Sequence, residues 1–172
     1  MKTFQRLCGR RWRLVFGLLL LALTTVPAAD WPQWLGPQRD AVWRETGIIE
    51  KFPADGVKYR WRVRIGGGYA GPAVAQGRVV VTDRQLSKGA TNPANPFARG
   101  AIPGSERVLC LNEADGKRVW QHEYDCAYTV SYAAGPRATP TVHDGKVYTL
   151  GAEGNLLCLD VDKGTVLWAR DL

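Results

Sequence analysis

One sequence pattern occurs twice in this chain, and it constrains the fold more than any other feature. Residues 71–81 read GPAVAQGRVVV, and residues 139–149 read TPTVHDGKVYT. Residues 109–120 read LCLNEADGKRVW, and residues 157–168 read LCLDVDKGTVLW. The first pair is offset by 68 residues and the second by 48, so about 20 extra residues lie inside the earlier copy. The chain therefore contains two copies of one structural unit.

The later copy shows this unit without the insertion. Asp144-Gly145 separates two β-rich runs, which is a strong hairpin signal. A second turn, residues 160–164, begins with Asp and ends with Gly. These signals predict four short antiparallel strands within residues 138–172. Because such a meander cannot bury both of its faces alone, it must stack on a copy of itself. We therefore predict an all-β chain, a β-propeller of four-stranded antiparallel blades.

The repeat divides the chain into parts. We predict a signal peptide at 1–29, an N-terminal strap at 30–56, an orphan outer strand at 57–66, one blade at 70–124 with an insertion at 84–106, and a second blade at 138–172. The insertion lacks a strand or helix period, which predicts a long surface loop. A closed ring needs about 350 residues at this pitch, so we predict a partial propeller whose remaining blades are missing from this chain.

The first 29 residues have the layout of an export signal. A basic head is followed by an apolar run at 14–26 and by Pro27-Ala28-Ala29. The run is shorter than the roughly 20 residues that a spanning helix needs, so we predict cleavage and no stable membrane span in the mature chain. The chain is expected to be exported, to the periplasm or outside the cell, by the Sec or the twin-arginine route.

The formal net charge of +7 belongs mainly to this signal. Without the five cations of the signal, 18 basic and 16 acidic residues remain, and they are scattered through turns and strands. Nucleic-acid binders gather their cations in a patch or stripe. Nucleic acid is therefore not predicted as a partner.

Glycine and tryptophan recur at matched places near the end of each unit. Gly116 and Gly164 close the turn before the last strand, where a positive φ is needed. Trp120 and Trp168 follow each turn, and Trp61 has the matching place in the orphan strand. A large flat ring at this point can fill the gap between adjacent blades. We predict that these five residues form the structural blade motif. Because the acidic residues of the turns differ between the copies, no metal site is predicted there.

The segment that leads from one blade into the next is a candidate interaction surface, since Tyr and Arg are favoured at binding hot spots. Its residues are Tyr128, Tyr132 and Arg137. The alternative is structural: the two tyrosines pack beneath the blade connection, and the arginine pairs with a neighbouring acid. A further candidate is a stacking surface for a carbohydrate, formed by Trp31, Trp34 and Trp43. The favoured alternative is that these residues belong to an N-terminal strap packed across a ring.

The blade sequences resemble those of a known family. Leu-Cys-Leu-Asp, Lys-Gly-Thr-Val-Leu-Trp and Ala-Thr-Pro-Thr-Val are similar to the repeats of pyrroloquinoline-quinone-like (PQQ-like) β-propellers. That superfamily includes quinoprotein alcohol dehydrogenases and BamB-like outer-membrane assembly factors. Residues 30–40 resemble the opening of exported members without a demonstrated enzyme activity. The resemblance covers residues 30–172 and implies PQQ-like propeller blades over residues 57–172.

The resemblance supplies no catalytic residue. Catalytic members of the superfamily hold the quinone over the ring axis with calcium, a carboxylate base, a Trp platform and often two adjacent bridged cysteines. This sequence has no Cys-Cys pair. No base or calcium ligand can be matched residue by residue, so no catalytic, cofactor-binding or metal-binding residue is carried over. PQQ and calcium are expected only if the chain belongs to a dehydrogenase.

The sequence is therefore compatible with three functions. The first is an exported non-catalytic β-propeller scaffold that binds a protein partner in the cell envelope, for example in outer-membrane assembly. It is favoured because the sequence consists mostly of turn and packing residues. The second is a part of a PQQ-dependent quinoprotein alcohol dehydrogenase, which a dye-linked alcohol oxidation assay would detect. The third is a propeller that binds a carbohydrate or another small ligand.

Overall fold

The computed structural model describes residues 28–172, and it contains two four-stranded antiparallel sheets. The first is formed, in spatial order, by β1 (Ala73–Ala75), β2 (Arg78–Leu86), β3 (Gly104–Asn112) and β4 (Arg118–Asp125). The second is formed by β5 (Thr141–His143), β6 (Lys146–Leu150), β7 (Asn155–Asp160) and β8 (Val166–Asp171). The predicted all-β class is confirmed, as two antiparallel blades of a partial β-propeller.

The predicted export signal, residues 1–29, lies outside the described residues except for its last two positions. Among residues 28–172, no helix is long and apolar enough to cross a membrane.

The two sheets have the same register between their last two strands. Cys110 of β3 is opposite Trp120 of β4, and Cys158 of β7 is opposite Trp168 of β8. The pairing shifts immediately after both cysteines, so each sheet has a bulge at the same point. A slip of one residue would move every side chain to the other face of the sheet. The shared register therefore places the two tryptophans at equivalent positions of their blades.

The first blade is contacted by the tryptophan of the segment before it. Trp61 donates from Nε1 to the carbonyl oxygen of Glu113 at 2.8 Å, in the turn between β3 and β4. Gly116 of that turn lies against the indole, since a Cβ added there would be 2.7 Å from the ring. Glycine is therefore required at this turn for the ring to approach the backbone.

Trp120 makes the same contacts one unit later. Its Nε1 donates to the carbonyl oxygen of Val161 at 2.8 Å, and a Cβ added at Gly164 would be 2.5 Å from its ring. Trp168 has the equivalent place in the second blade, but its side chain is 41% exposed. The described residues contain no third blade for its ring to contact. Trp61 and Trp120 therefore each pack on a turn of the unit that follows.

This contact predicts a large effect of a methyl group at Gly164. Gly164 has a φ of +67°, so alanine would be strained and would also displace the Trp120 ring. We expect Gly164→Ala to lower the free energy of unfolding by about 2–3 kcal/mol, measured by urea denaturation. Gly145 is the matched control, because it has a φ of +69° but open space around its Cβ position. Gly145→Ala should cost only the backbone strain, about 1 kcal/mol; equal losses would contradict the contact.

The hydrophobic core lies between the two blades. It combines small and branched side chains of both sheets with the indole of Trp120, and burying one such Val or Leu contributes about 1.5–3 kcal/mol. Its buried members are Ala73, Ala75, Val80, Val108, Cys110, Trp120, Val142, Val147, Leu157, Leu159 and Val161. Each blade therefore supplies one wall of the core, as stacking of the repeat requires.

The N-terminal strap runs across the inner strands of both blades. Trp31 exchanges two backbone hydrogen bonds with Val74 of β1, at 2.7 and 2.9 Å. The carbonyl oxygen of Pro32 then accepts from the amide of Val142 in β5 at 2.8 Å. The strap thus ties β1 to β5 before it continues to Trp34.

Two predicted segments differ in the structure. The loop inside the predicted insertion at 84–106 is shorter than predicted, because β2 continues to Leu86 and β3 begins at Gly104. Arg84 and Glu106 are opposite each other in this longer ladder, although the lack of a strand period had placed them at the ends of the insertion. Residues 57–66, the predicted orphan outer strand, belong to neither sheet of the described chain. A strand exists only where a neighbour pairs with it.

Candidate interaction face

The loop between β2 and β3 (87–103) and the connection between β4 and β5 (126–140) lie at the same end of the sheets. In an antiparallel meander successive connections alternate between the two ends, so these two share one end, which we call the loop end. Ile102 and Tyr128 exchange two backbone hydrogen bonds of 2.9 Å. Tyr132 donates its amide to the carbonyl oxygen of Pro96 at 2.7 Å. The loop and the connection therefore form one continuous surface.

Exposed aromatic side chains and one arginine meet at this loop end. We call them the aromatic face: Trp34, Tyr69, Phe97, Tyr132 and Arg137. The Phe97 and Tyr132 rings meet edge to face with their centroids 5.1 Å apart. The Arg137 guanidinium lies 5.6 Å from the Tyr69 ring centroid and shares a groove of about 360 Å³ with Trp34. Such rings offer a large contact area at low cost in side-chain entropy.

Two of the three residues predicted for an interaction surface belong to this face. Tyr132 is 43% exposed, and Arg137 is exposed. The Nη2 group of Arg137 donates to the carbonyl oxygens of Ser131 at 2.5 Å and Tyr132 at 2.8 Å. Arg137 therefore holds the connection in a turn through these backbone bonds. The structural alternative expected Arg137 to pair with an acidic residue, and within residues 28–172 it forms no such pair.

Tyr128 is not a surface residue, and its prediction as one was wrong. Its side chain is fully buried. Its hydroxyl donates to the carboxylate of Glu106, and its ring lies 3.8 Å from the guanidinium carbon of Arg84. The hydroxyl and the ring face thus both have partners inside the protein, and these partners compensate for the loss of contact with water on burial. Of the carbohydrate candidates, which all lie in the strap, Trp31 is half-buried with its ring against Gly36, whereas Trp34 and Trp43 are exposed.

Glu106 is a buried carboxylate that the sequence analysis missed. It is 1% exposed, and it accepts hydrogen bonds from the hydroxyls of Tyr124 and Tyr128. It also accepts from the amide of Ala152 at 2.9 Å, in the loop between β6 and β7. Three donors satisfy the charge of a buried carboxylate. Glu106 therefore links the first blade to a loop of the second.

Arg84 is the buried cation that holds the loop end together. It is 3% exposed and donates to the carbonyl oxygens of Ala133 at 2.6 Å and Ile102 at 2.7 Å. One guanidinium therefore bonds both the connection and the β2–β3 loop. The structure places Arg84 and Glu106 opposite each other in the register of β2 and β3, and the sequence analysis missed this cluster. It was missed because the insertion boundaries had been placed at these two residues.

A second buried ion pair supports the segment before β1. The fully buried carboxylate of Asp83 accepts two hydrogen bonds from Arg107, at 2.9 and 2.6 Å, and one from the amide of Gly66 at 2.5 Å. The hydrogen bond to Asp83 raises the pKa of Arg107. A forked arginine–carboxylate pair of this kind is geometrically specific, so it fixes the path of the chain at Gly66.

Glu153 ties the second blade to the connection. Its carboxylate accepts from the amide of Thr129 at 2.5 Å, from the Thr129 hydroxyl at 3.0 Å and from the amide of Val130 at 3.2 Å. Glu106 and Glu153 therefore bridge the two blades in opposite directions. The aromatic face rests on a support built from these bonds.

Burial raises the pKa of both tyrosines that bond Glu106, and the hydrogen bond to its carboxylate raises them further. The unfolded chain releases phenol protons near pH 10 whereas the folded chain keeps them, so stability is present below pH 10 and is lost as the pH rises. Above pH 10, we expect each tyrosine to lower the free energy of unfolding by about 1.4 kcal/mol per pH unit. Urea denaturation between pH 9 and 11 tests this, with Tyr124→Phe expected to show a shallower fall. Tyr59→Phe, at an exposed tyrosine, is the control and should leave the slope unchanged.

The comparisons with known proteins concern the region that contains both blades. A family described as outer membrane protein assembly factor BamB matches residues 51–172. The protein of that name from Salmonella typhimurium is 32% identical over 95 residues, which cover 49% of this chain and 23% of the relative. The protein of that name from Escherichia coli K12 is 28% identical over 89 residues, with the same coverage.

The crystal structure of BamB from Moraxella catarrhalis is also similar, with a TM-score of 0.42 and 23% identity over 66% of this chain and 27% of that one. This chain thus spans about a quarter of the length of the relatives that it matches. The family match includes both blades, the tryptophan–glycine contacts and the buried cluster, and it extends over well more than half of the chain. The chain belongs to the PQQ-like repeat family of outer membrane protein assembly factor BamB.

Proposed function

We propose that this chain is part of an exported, non-catalytic β-propeller scaffold that binds a protein partner through its aromatic face. The observation that carries the proposal is this face itself, where exposed aromatic rings and one arginine lie on loops joined by hydrogen bonds. Tyr, Trp and Arg are the residues that carry most of the binding energy in protein interfaces. A sheet scaffold whose loops present such residues is suited to binding.

The hydrogen bonds of the buried charged side chains support a structural role for these residues. Asp83 is bonded to Arg107, and Glu106 is bonded to two tyrosines and a backbone amide. Both carboxylates are nearly inaccessible to solvent, so neither is placed to act as a general base on a substrate. These groups hold the loops in position, which is what a binding scaffold needs.

The place of action that we propose is the cell envelope, in the periplasm or outside the cell, in the assembly of outer-membrane proteins. Two observations support it. The basic head and apolar run of residues 1–29 have the layout of an export signal. The family relatives carry the name outer membrane protein assembly factor.

Photo-crosslinking tests the proposal. A benzoylphenylalanine placed at Phe97 or at Tyr132 should crosslink one defined envelope protein in living cells. The same group at Lys117, in the turn at the opposite end of the first blade, is the control and should not crosslink it. Crosslinks that are equal at all three positions, or missing at Phe97 and Tyr132, would rule out the aromatic face as the binding surface. Alcohol oxidation after addition of PQQ and calcium would instead favour a quinoprotein dehydrogenase.

A further inference from the structure

The charge of the two loops that form the loop end is one-sided. The β2–β3 loop (87–103) and the β4–β5 connection (126–140) contain the cations Lys88, Arg99 and Arg137 and no acidic residue. All three cations are exposed. The loop between β6 and β7 adds Glu153, but its carboxylate already accepts three hydrogen bonds from the connection. These two loops therefore present positive charge beside the aromatic face, and the exposed carboxylates of this end, Asp125 and Asp171, lie at the ends of β4 and β8.

Arg137 keeps hydrogen-bonding capacity for a partner. A guanidinium has five N–H donors, and only the Nη2 group of Arg137 is bonded to acceptors within residues 28–172. Those bonds, to Ser131 and Tyr132, hold the guanidinium in one place. Arg137 lines the groove that Trp34 borders. Because the group is already positioned, a bound carboxylate would not have to order it first.

A second arginine lines another groove that Trp34 borders. A neighbouring groove of about 250 Å³ is lined by Trp34, Arg39 and Thr141 among others. Arg39 donates from Nε to the side chain of Gln33 at 3.0 Å, which orients it. Two adjacent grooves thus share one aromatic wall, and each contains a guanidinium. An extended chain that crosses Trp34 would pass both cations.

We propose that the aromatic face binds an extended acidic segment of its protein partner, and that Arg137 receives a carboxylate of that segment. This inference rests on the proposed scaffold function and adds the chemistry of the partner. Guanidinium and carboxylate groups form charge-assisted hydrogen bonds that are stronger than neutral ones. The flanking rings of Trp34 and Tyr69 contact the partner chain and reduce the access of water to the pair. The positive charge of the two loops selects against basic partners.

Peptide binding tests this inference directly. The full chain is titrated into a fluorescein-labelled 12-residue peptide in which Asp alternates with Ser, and binding is measured by fluorescence anisotropy. The same peptide with Asn in place of Asp is the comparison. We expect the Asp peptide to bind at least about tenfold more tightly than the Asn peptide at low salt, and the difference to shrink as salt is added. Equal binding of the two peptides would overturn the inference.

Variants locate the site. Arg137→Gln should weaken binding of the Asp peptide about three- to tenfold, and Arg39→Gln, at the neighbouring groove, should weaken it by a smaller factor. Arg118→Gln is the matched control, because Arg118 is an exposed cation at the start of β4, at the opposite end of the blade. Arg137→Lys keeps the charge but loses the forked donors, and it should fall between wild type and Arg137→Gln. Equal losses for Arg137→Gln and Arg118→Gln would refute the assignment.

The outcomes separate this inference from the proposed function. Urea denaturation of each variant shows whether its fold is intact, and Arg39→Gln tests the same groove system without changing the bonds to Ser131 and Tyr132. Tighter binding of a 12-nucleotide single-stranded DNA or of a neutral hexasaccharide than of the Asp peptide would overturn the acidic-peptide inference. If Phe97 still crosslinks one envelope protein while the Asp peptide does not bind, the scaffold function stands and the acidic partner is wrong.

Discussion

Replacing Trp120 with alanine is expected to lower the free energy of unfolding by about 3–5 kcal/mol. The side chain is 8% exposed, and its Nε1 bonds the carbonyl oxygen of Val161 across the blade interface. Its removal leaves a cavity against Gly164 and an unpaired backbone acceptor, and both effects destabilise the folded state. Urea denaturation followed by far-ultraviolet circular dichroism measures the loss.

Trp168 provides the matched control within the same chain. It has the same register in its blade, opposite Cys158 as Trp120 is opposite Cys110. Because its ring is partly exposed and lies beside Tyr148 at a centroid distance of 6.1 Å, Trp168→Ala should cost only about 1 kcal/mol. Repeating the urea denaturation at two protein concentrations shows whether the chain self-associates through this ring. A loss as large as that of Trp120→Ala would contradict the unequal environments of the two indoles.

Removing the carboxylate of Glu106 is expected to have a similarly large effect. Glu106→Ala leaves the hydroxyls of Tyr124 and Tyr128 without their acceptor and the nearby Arg84 without a neighbouring negative charge. We expect a loss of about 3–5 kcal/mol in the free energy of unfolding. Hydrogen exchange should also become faster in residues 126–137, because the network holds the connection to the blades.

The control for Glu106 lies on the adjacent strand. Glu123 in β4 is exposed and accepts from the Ser105 hydroxyl at 2.5 Å and from Gln121. Glu123→Ala should change stability by only about 0.5 kcal/mol and leave the exchange of residues 126–137 unchanged. If the two variants behave alike, the buried cluster does not support the aromatic face.

The positions of the turns and the matched places of the glycines and tryptophans could be predicted from the sequence, whereas the contact of each indole with a glycine was found only in the structure. The Asp144-Gly145 turn and the glycines of the β3–β4 and β7–β8 turns are encoded in windows of a few residues, and the repeat shows them twice. The end of β2 could not be located in this way. Arg84 and Glu106 read as loop residues, because a charged residue looks the same in a surface loop and in a buried pair until its partner is known.

At the candidate site, the two tyrosines show the same limit of prediction from the sequence. Tyr128 and Tyr132 are four residues apart in similar small-residue surroundings, and the sequence offered the same two roles for both, a place on an interaction surface or packing beneath the blade connection. The structure buries Tyr128, because its hydroxyl reaches Glu106, 22 residues earlier in the chain. Tyr132 remains at the surface against Phe97. Trp34 joins the face only because the strap crosses β1 and β5.

The sequence by itself therefore determined the architecture: two copies of a four-stranded meander, their turns, and a tryptophan at a matched place in each unit. Only the tertiary structure decided which polar side chains are buried and which aromatic residues meet at the loop end. The physical reason is that strand period and turn conformation depend on neighbours within a few residues. Burial and ion pairing depend on loops that are packed together by contacts between distant parts of the chain.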